Sequence, residues 1–559
     1  MSISLSRREV LAAFLTAPAA TFLGCGSMGS SLPVAGEIIG TSQGIGHRLR
    51  QGFRPQPTEN SWTEADVVIV GGGMAGLSAA WRLSALGIQD VAILELEPRL
   101  GGTSASGVSN LVRYPWGAHY VPAPTSRNRV LVTLFEELGL LEGFDEDGEP
   151  VIGEPFLCRD PEERLFHNGT WHEGLYPYSG ASEDDLAQLA RFESEIERWV
   201  AWRDSTGRRA FTLPIAACSD EADVRALDEL TMSDWLAEHD LTSARLRWLV
   251  NYCCKDDYGL MADQTSAWAG LFYFASRIRV PGGAPQPLVT FPEGNGRFIR
   301  YFQQVLSSKI HTGMAVSEIR LASGGNRERD ARSSESAPLR EIISVSHDGS
   351  TVRGFRARNM VFAASQFLGP YLISDLSESR RQAAREFQYG SWLVANLHLN
   401  DRPEDEGFPL AWDNVLYDSK SLGYVTATHQ RNLEFGPTVL TYYYPFCDAE
   451  PAVSRQRLLD LTWEDCAEIA LADLQTAHPQ IRSLTTRLDV MKWGHAMIQP
   501  RTGFVFHQAR RTAAKPFAGI HFANTDLSGV ALLEEALYHG VRAAEEVATA
   551  RGRQFTSLI

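Results

Sequence analysis

The chain of 559 residues is 44% hydrophobic and 21% charged, which allows two or more domains with large cores and excludes a wholly disordered polymer. A formal net charge of −16 and the lack of any Lys/Arg run argue against a nucleic-acid partner, whose phosphates call for clustered cations. Seven scattered cysteines (Cys25, Cys158, Cys218, Cys253, Cys254, Cys447 and Cys466), with no CxxC or Cys/His spacing, point to neither a disulfide framework nor a metal site. The adjacent Cys253 and Cys254, in LRWLVNYCCKDDYG, read as buried structural thiols.

At the N-terminus, Arg7 and Arg8 precede 15 uncharged residues, Val10 to Gly24, which Pro18 interrupts. A membrane-spanning helix needs roughly 20 apolar residues, so residues 1–25 read as a removable export signal. Ser6-Arg7-Arg8-Glu9-Val10-Leu11 resembles a twin-arginine signal, with Val10 where Phe is commoner and no Lys following. Phe22-Leu23-Gly24-Cys25 resembles a lipoprotein cleavage box with Phe22 in place of the usual Leu. These resemblances imply the twin-arginine machinery as a partner, a periplasmic location, and contact with a membrane only through lipidation at Cys25. That route carries folded proteins, often with a cofactor inserted. Residues 26–63, polar and containing Gly and Pro, read as a linker.

The next stretch is ADVVIVGGGMAGLSAAWRLSALGIQDVAILELEPRLGG. Ala65 to Val70 is expected as a buried parallel strand, Met74 to Leu86 as a helix closed by Gly87, and Val91 to Leu94 as a second strand. In this βαβ unit Gly71 permits the turn and Gly73 lets the backbone approach a pyrophosphate where Met74 and Ala75 open the helix. Gly76 allows close packing of helix on strand. Glu95 ends the second strand, where a carboxylate accepts hydrogen bonds from ribose hydroxyls.

The continuation Glu95-Leu96-Glu97-Pro98-Arg99-Leu100-Gly101-Gly102, followed by Thr103, resembles the ExxxRxGG motif of the flavin-containing amine oxidase and phytoene desaturase superfamily. That resemblance implies FAD as cofactor. Three later segments match in family order. PEGNGRFIRYFQQVLSSKIHTGMAVSEIRL resembles the segment that reaches the adenine, with Val316 the backbone contact. RARNMVFAASQFL resembles the returning strand, with Ala364 and Ser365 at its edge. Phe517 to Asp526, with the helix LEEALYHGVRAAEEVATA after it, resembles the C-terminal segment in which the residue matching Asp526 lies near the flavin ribityl and pyrophosphate. Asn524 stands where the family usually has Gly.

The implied fold class is α/β: a Rossmann-type FAD-binding domain with a parallel sheet and an interleaved α+β substrate domain. FAD-binding parts fall at 64–127, 287–372 and 501–559. A mainly helical substrate part falls at 128–286 and an antiparallel sheet, including SWLVANLHL and GPTVLTYYYP, at 373–500. SGGNRERDARSSESAP reads as an exposed hairpin loop.

YPWGAHYVP resembles the family's loop against the flavin ring, which makes Gly117, Ala118, His119 and Tyr120 candidate contacts. His119 has two readings: a flavin contact or general base for a substrate ammonium, or a packed imidazole bonded to backbone. In MKWGHAMIQPR, Lys492 and His495 are further catalytic candidates and Trp493 a cavity wall, against a surface lysine, a core histidine and a core tryptophan.

Three departures put the amine substrate in doubt. SQFLGPYLISDLSESRR lacks the Lys that amine oxidases carry near the flavin, Leu532 is the nearest match to an aromatic cage residue, and Thr103 replaces an Arg. The expected activity is hydride transfer from a C–N or C–H bond of a small molecule, amine or lipid-like, to flavin N5, with oxygen or a quinone as acceptor. The alternatives are an isoprenoid or lipid desaturase or isomerase, and a non-catalytic flavin-binding scaffold.

Overall fold

The computed structural model describes residues 34–40, 42–322, 337–431 and 435–559. The twin-arginine-like signal, Cys25 and nearly all of SGGNRERDARSSESAP lie outside the described residues. No helix among the described residues is long and apolar enough to cross a membrane.

The nucleotide-binding region is built on a five-stranded parallel sheet in the order Ile310–His311, Val91–Leu94, Val67–Val70, Asn359–Phe362, Ile520–Phe522. Every side chain of Val67–Val70 and Val91–Leu94 is buried, as strands covered on both faces require. One face carries the crossover helix Met74–Ala85 and the C-terminal helix Leu533–Ala550. These two helices approach closely because Gly540 has no side chain: a Cβ there would lie 2.0 Å from Ser78 Oγ and 2.3 Å from the Ala75 carbonyl oxygen. On the other face Val68, Val70, Ala92 and Leu94 pack against Val316, Ile319, Ile342 and Phe355 of a four-stranded sheet.

The substrate region holds a seven-stranded sheet in the order Thr170–Glu173, Glu163–His167, Asp413–Leu416, Tyr424–Thr426, Thr438–Pro445, Tyr389–Leu399, Thr485–Ile498. It is antiparallel except where Glu163–His167 runs parallel to Asp413–Leu416. The mainly helical stretch therefore also lends two strands to this sheet. Its helices Glu183–Ala201, Ala244–Tyr258 and Ala267–Ala275 occupy the expected segments. Cys253 and Cys254 are buried free thiols in the second of them.

Side chains of the long strand Tyr389–Leu399 alternate between two environments. Leu393, Ala395 and Leu397 face a core shared with the helix Trp463–Leu474, while Trp392 and Val394 face the opposite way among Tyr443, Met491 and Trp412.

Residues 34–63 do not form a simple linker. Ala35 and Ile38 bridge to Arg487 and Val490, and Trp62–Glu64 pairs in parallel with Val352–Ala357. Between them lies the helix Gln43–Arg50. One glycine of this segment has a packing role: a Cβ on Gly36 would come within 1.9 Å of the Leu488 carbonyl oxygen.

Candidate active site

A cavity of about 1000 Å³ runs along the carboxyl ends of the parallel strands and on beneath the seven-stranded sheet. Open α/β sheets place their ligands at this edge. The glycine turn, the second-strand acid, the WGAHY loop, the returning strand and the C-terminal helix all reach its wall.

The glycines separate by role. Gly71 has φ +108°, a conformation that favours glycine. A Cβ on Gly76 would sit 1.9 Å from the Gly71 carbonyl oxygen, so this residue serves helix-on-strand packing and stays outside the cavity wall. Gly73 has φ −78° and ψ −177°, which any residue adopts. Its Cβ position opens into the cavity, where a diphosphate would meet the free N–H groups of Met74 and Ala75.

Glu95 accepts hydrogen bonds from the backbone N–H of Gly72 and of Glu97, each at 2.7 Å. Burial outweighs these donors and pushes its carboxyl up to about 7. Asp526 is also buried, which raises it to about 6, and accepts from Tyr389 Oη at 2.6 Å and from Gln366 N at 2.8 Å. Val316, Ala364, Ser365, Gly101, Gly102 and Thr103 complete this part of the wall. Arg99 does not belong to it: Arg99 is exposed on the turn, and the next residue, Leu100, points inward instead.

The WGAHY loop is clamped to the glycine doublet. Ala118 N donates to Thr103 O at 2.8 Å, and a Cβ on Gly117 would meet that same oxygen at 2.3 Å. His119 places Nδ1 3.3 Å from the Gly117 carbonyl and stacks on Tyr443 at 4.8 Å. Burial lowers its imidazole to about 4. It is therefore neutral at pH 7 and a weak proton acceptor, which disfavours the general-base reading, while its place in the cavity wall is compatible with both a flavin contact and a backbone-bonded imidazole. The Tyr120 hydroxyl is committed to Arg277, at 2.9 Å, and to Asp257, at 3.2 Å.

Lys492 turns away from the cavity. In register it lies opposite Leu393, so it shares the helix-covered face, where Nζ donates to the carbonyls of Leu459 and Leu461. Its neighbour Trp493 lies opposite Trp392, lines the cavity and donates to the Trp116 carbonyl at 2.6 Å. His495 does line the cavity, stacked on Phe367 at 4.1 Å. Burial and the charges of Arg455 and Arg50 lower it to about 3, too weak a base for work near neutral pH.

Sequence reasoning missed the acidic end of the cavity. Asp256 and Asp257 close the helix Ala244–Tyr258, and Asp413 comes from the strand Asp413–Leu416. Asp257 pairs with Arg277 at 3.1 Å and Asp413 accepts from Tyr252 Oη at 3.3 Å, whereas no hydrogen bond from the described residues reaches Asp256. Burial and the neighbouring Asp257 raise Asp256 to about 7, and burial with Glu163 and Asp256 raises Asp413 well above the usual carboxylate range. Around them stand Trp392, Tyr252 and Tyr443. The one signal in the sequence was the adjacent acids Asp256 and Asp257 in the last turn of a helix whose earlier charged residues are all basic.

The flavin containing amine oxidoreductase family matches residues 74–548. A Mycobacterium tuberculosis protein named as a flavin-containing monoamine oxidase is 29% identical over 251 residues, which is 41% of this chain and 48% of that protein. The chain thus matches about half the length of this curated relative. Among solved structures, putrescine oxidase bound to putrescine superposes with a TM-score of 0.62 at 16% identity, covering 87% of this chain and 100% of the other. Cyclohexylamine oxidase from Brevibacterium oxydans gives 0.59 at 18% identity, covering 88% and 100%. These structures share the fold: a Rossmann-like nucleotide region with a mixed substrate sheet. By the family match across most of its length, this chain belongs to the flavin containing amine oxidoreductases, a family of FAD-dependent enzymes.

Proposed function

We propose that the chain is an FAD-dependent amine oxidase that takes its substrate as an ammonium cation, with the cation directed toward Asp256 and Asp413. The observation that carries this reading is the excess of carboxylates lining the aromatic-walled end of the cavity, where Arg277 is already paired with Asp257 and the half-buried Asp256 and Asp413 are left without a cation. Buried acids raised in this way gain from a cation, and the faces of Trp392 and Tyr443 add cation–π attraction of about 0.5–2 kcal/mol. An apolar lipid would instead leave Asp256 and Asp413 desolvated without a cationic partner, at a cost of several kcal/mol per ion unless both stay protonated.

FAD, when bound, accepts the hydride that leaves the carbon next to nitrogen. The chain's own residues prepare that step. An ammonium must first lose a proton, because its nitrogen lone pair assists hydride departure. Asp256, at about 7, is matched to take that proton near neutral pH. Hydride loss would leave an iminium, which water would convert to an aldehyde and ammonia, and oxygen would serve as the final electron acceptor, giving peroxide. Trp392, Tyr443 and Trp493 hold the alkyl part and exclude water. No Lys lines the cavity among the described residues, and Asp256 of the substrate region takes the role of base in this reading.

The reading is tested by incubating purified holoenzyme with primary monoamines and diamines in air and following peroxide and aldehyde. Stoichiometric formation of both supports it, and a shifted or new C=C bond in a lipid substrate, with no product from amines, opposes it. We also propose export of the folded flavoprotein by the twin-arginine route, on the strength of Arg7 and Arg8 ahead of a short apolar segment.

A further inference from the structure

The cavity wall around the glycine turn carries no cation. Gly71, Gly73, Met74, Ala75, Gly101, Gly102, Thr103 and Ser104 are all neutral, and the nearby titratable groups are the acids Glu95 and Asp526. A diphosphate seated there gains only the partial positive charge of one helix N-terminus, equivalent to about half an elementary charge. With the hydrogen bonds of Met74 and Ala75 made, most of the two negative charges is still without a countercharge from this wall.

The cavity's remaining arginines are four: Arg50, Arg54, Arg277 and Arg455. Arg277 is paired with Asp257. Arg54 is spent on the carbonyls of Leu49, Phe53 and Tyr371. Arg50 and Arg455 have no acidic partner among the described residues, and Arg455 Nη1 is buried without a hydrogen-bond partner. The two guanidinium groups are close enough to oppose each other, and together they disfavour the protonated form of His495. His495 in turn stacks on Phe367, two residues beyond Ser365 at the carboxyl end of the returning strand, and Phe367 also packs against Tyr389, the donor to Asp526. The exposed Arg50 and the half-buried Arg455 thus bring two cations without acidic partners from two elements to the nucleotide end of the cavity, where an anion would compensate them.

We propose that Arg50 and Arg455 hold the FAD diphosphate from the side opposite the glycine helix, so that residues 42–54 close over the cofactor. This inference rests on FAD binding and is independent of the amine assignment. Arg50 ends the helix Gln43–Arg50, whose start is tied down by Ser42: its N–H and Oγ donate to Glu97 at 2.7 and 2.8 Å. Arg455 stands on the helix Pro451–Asp460 of the substrate region. The cofactor thereby joins the N-terminal segment and the substrate region to the nucleotide fold.

The experiment follows free-flavin fluorescence after dilution of purified holoenzyme, for the wild type, Arg50→Gln, Arg455→Gln and the double variant, at low and high NaCl. Each single change is expected to speed FAD release about 10-fold and the pair more, with wild-type release hastened by salt and the double variant insensitive to it. Arg50→Lys and Arg455→Lys are expected to recover most of the retention. Wild-type release rates in the double Gln variant would overturn the proposal and assign the two arginines to another anion, such as a substrate carboxylate. Equal losses in the Lys and Gln variants, together with a lowered Tm, would overturn it in favour of a packing role.

Discussion

Gly73 faces the carbonyl oxygen of Gly101 across the nucleotide end of the cavity, with 3.9 Å between that oxygen and the place a Cβ would occupy. No other described atom apart from its chain neighbours comes within 4 Å of that position.

A side chain at 73 is therefore tolerated by the protein and resisted by the ligand. Gly73→Val is expected to fold with a near-native circular dichroism spectrum and to purify colourless, because the new methyl groups fill the diphosphate space. Gly76→Val is expected to fail earlier, with little soluble protein, since its Cβ strikes backbone at 1.9 Å. Flavin content per folded chain distinguishes the two.

Lys492 and Trp493 occupy adjacent positions on opposite faces of one strand. Lys492→Met removes the donor to the Leu459 and Leu461 carbonyls, so thermal unfolding is expected to shift down, by about 1–3 kcal/mol. The rate of flavin reduction is expected to hold. Trp493→Ala should do the reverse to catalysis, slowing reduction by loosening the cavity wall. A slowed flavin reduction in Lys492→Met at full FAD content would contradict this division.

The pH profile of reduction separates His119 from Asp256. With His119 near 4, an ionisation seen between pH 6 and 8 belongs to a carboxyl group, and since Glu95, Glu163 and Glu534 are also held near 7, the Asp256→Asn variant is what assigns it to Asp256. Reduction is expected to rise with pH through about 7 in the wild type and in His119→Gln, and to lose that limb in Asp256→Asn, with a rate loss of roughly 10²–10⁴-fold. Loss of the limb in His119→Gln would return the proton transfer to the imidazole.

The same carboxyl makes stability depend on pH. Folding raises Asp256 from the ordinary carboxylate range to about 7, so between about pH 4 and 7 the folded chain keeps a proton that the unfolded chain releases. Stability from this group is fully present below the unfolded value and is lost as pH rises through 7. Asp256→Asn is accordingly expected to raise Tm at pH 8, and to raise it less at pH 5.

Export is tested by changing Arg7 and Arg8 together to Lys. Charge is kept and the guanidinium pair removed, so FAD-loaded protein is expected to stay in the cytoplasm. Normal export of the double variant would sink the twin-arginine proposal.

Much of the nucleotide fold was legible because its signals are local. The helix that opens at Met74, the strand Val91–Leu94 and the helix Leu533–Ala550 fall where glycine turns and apolar runs put them. Residues whose role depends on a face were not legible: MKWGH does not say which way the strand Thr485–Ile498 turns Lys492, and only pairing with Tyr389–Leu399 decides it. The acidic end joins Asp256 to Asp413 across the chain, a tertiary event without a local signature. Residues 34–63 read as a linker from composition alone, because the bridges of Ala35 and Ile38 and the pairing of Trp62–Glu64 are made with strands hundreds of residues away.

Anaerobic addition of a primary amine or diamine to the holoenzyme, with the flavin spectrum followed, tests the central claim most directly. The amine is expected to bleach the oxidised flavin band fully, with one equivalent of aldehyde released per flavin on quenching. Asp256→Asn combined with Asp413→Asn is expected to keep FAD bound and raise the amine concentration needed for half-maximal reduction at least 10-fold. Contradiction would be a wild-type flavin that stays oxidised with every amine while a lipid bleaches it, or a double variant that amines reduce as readily as the wild type.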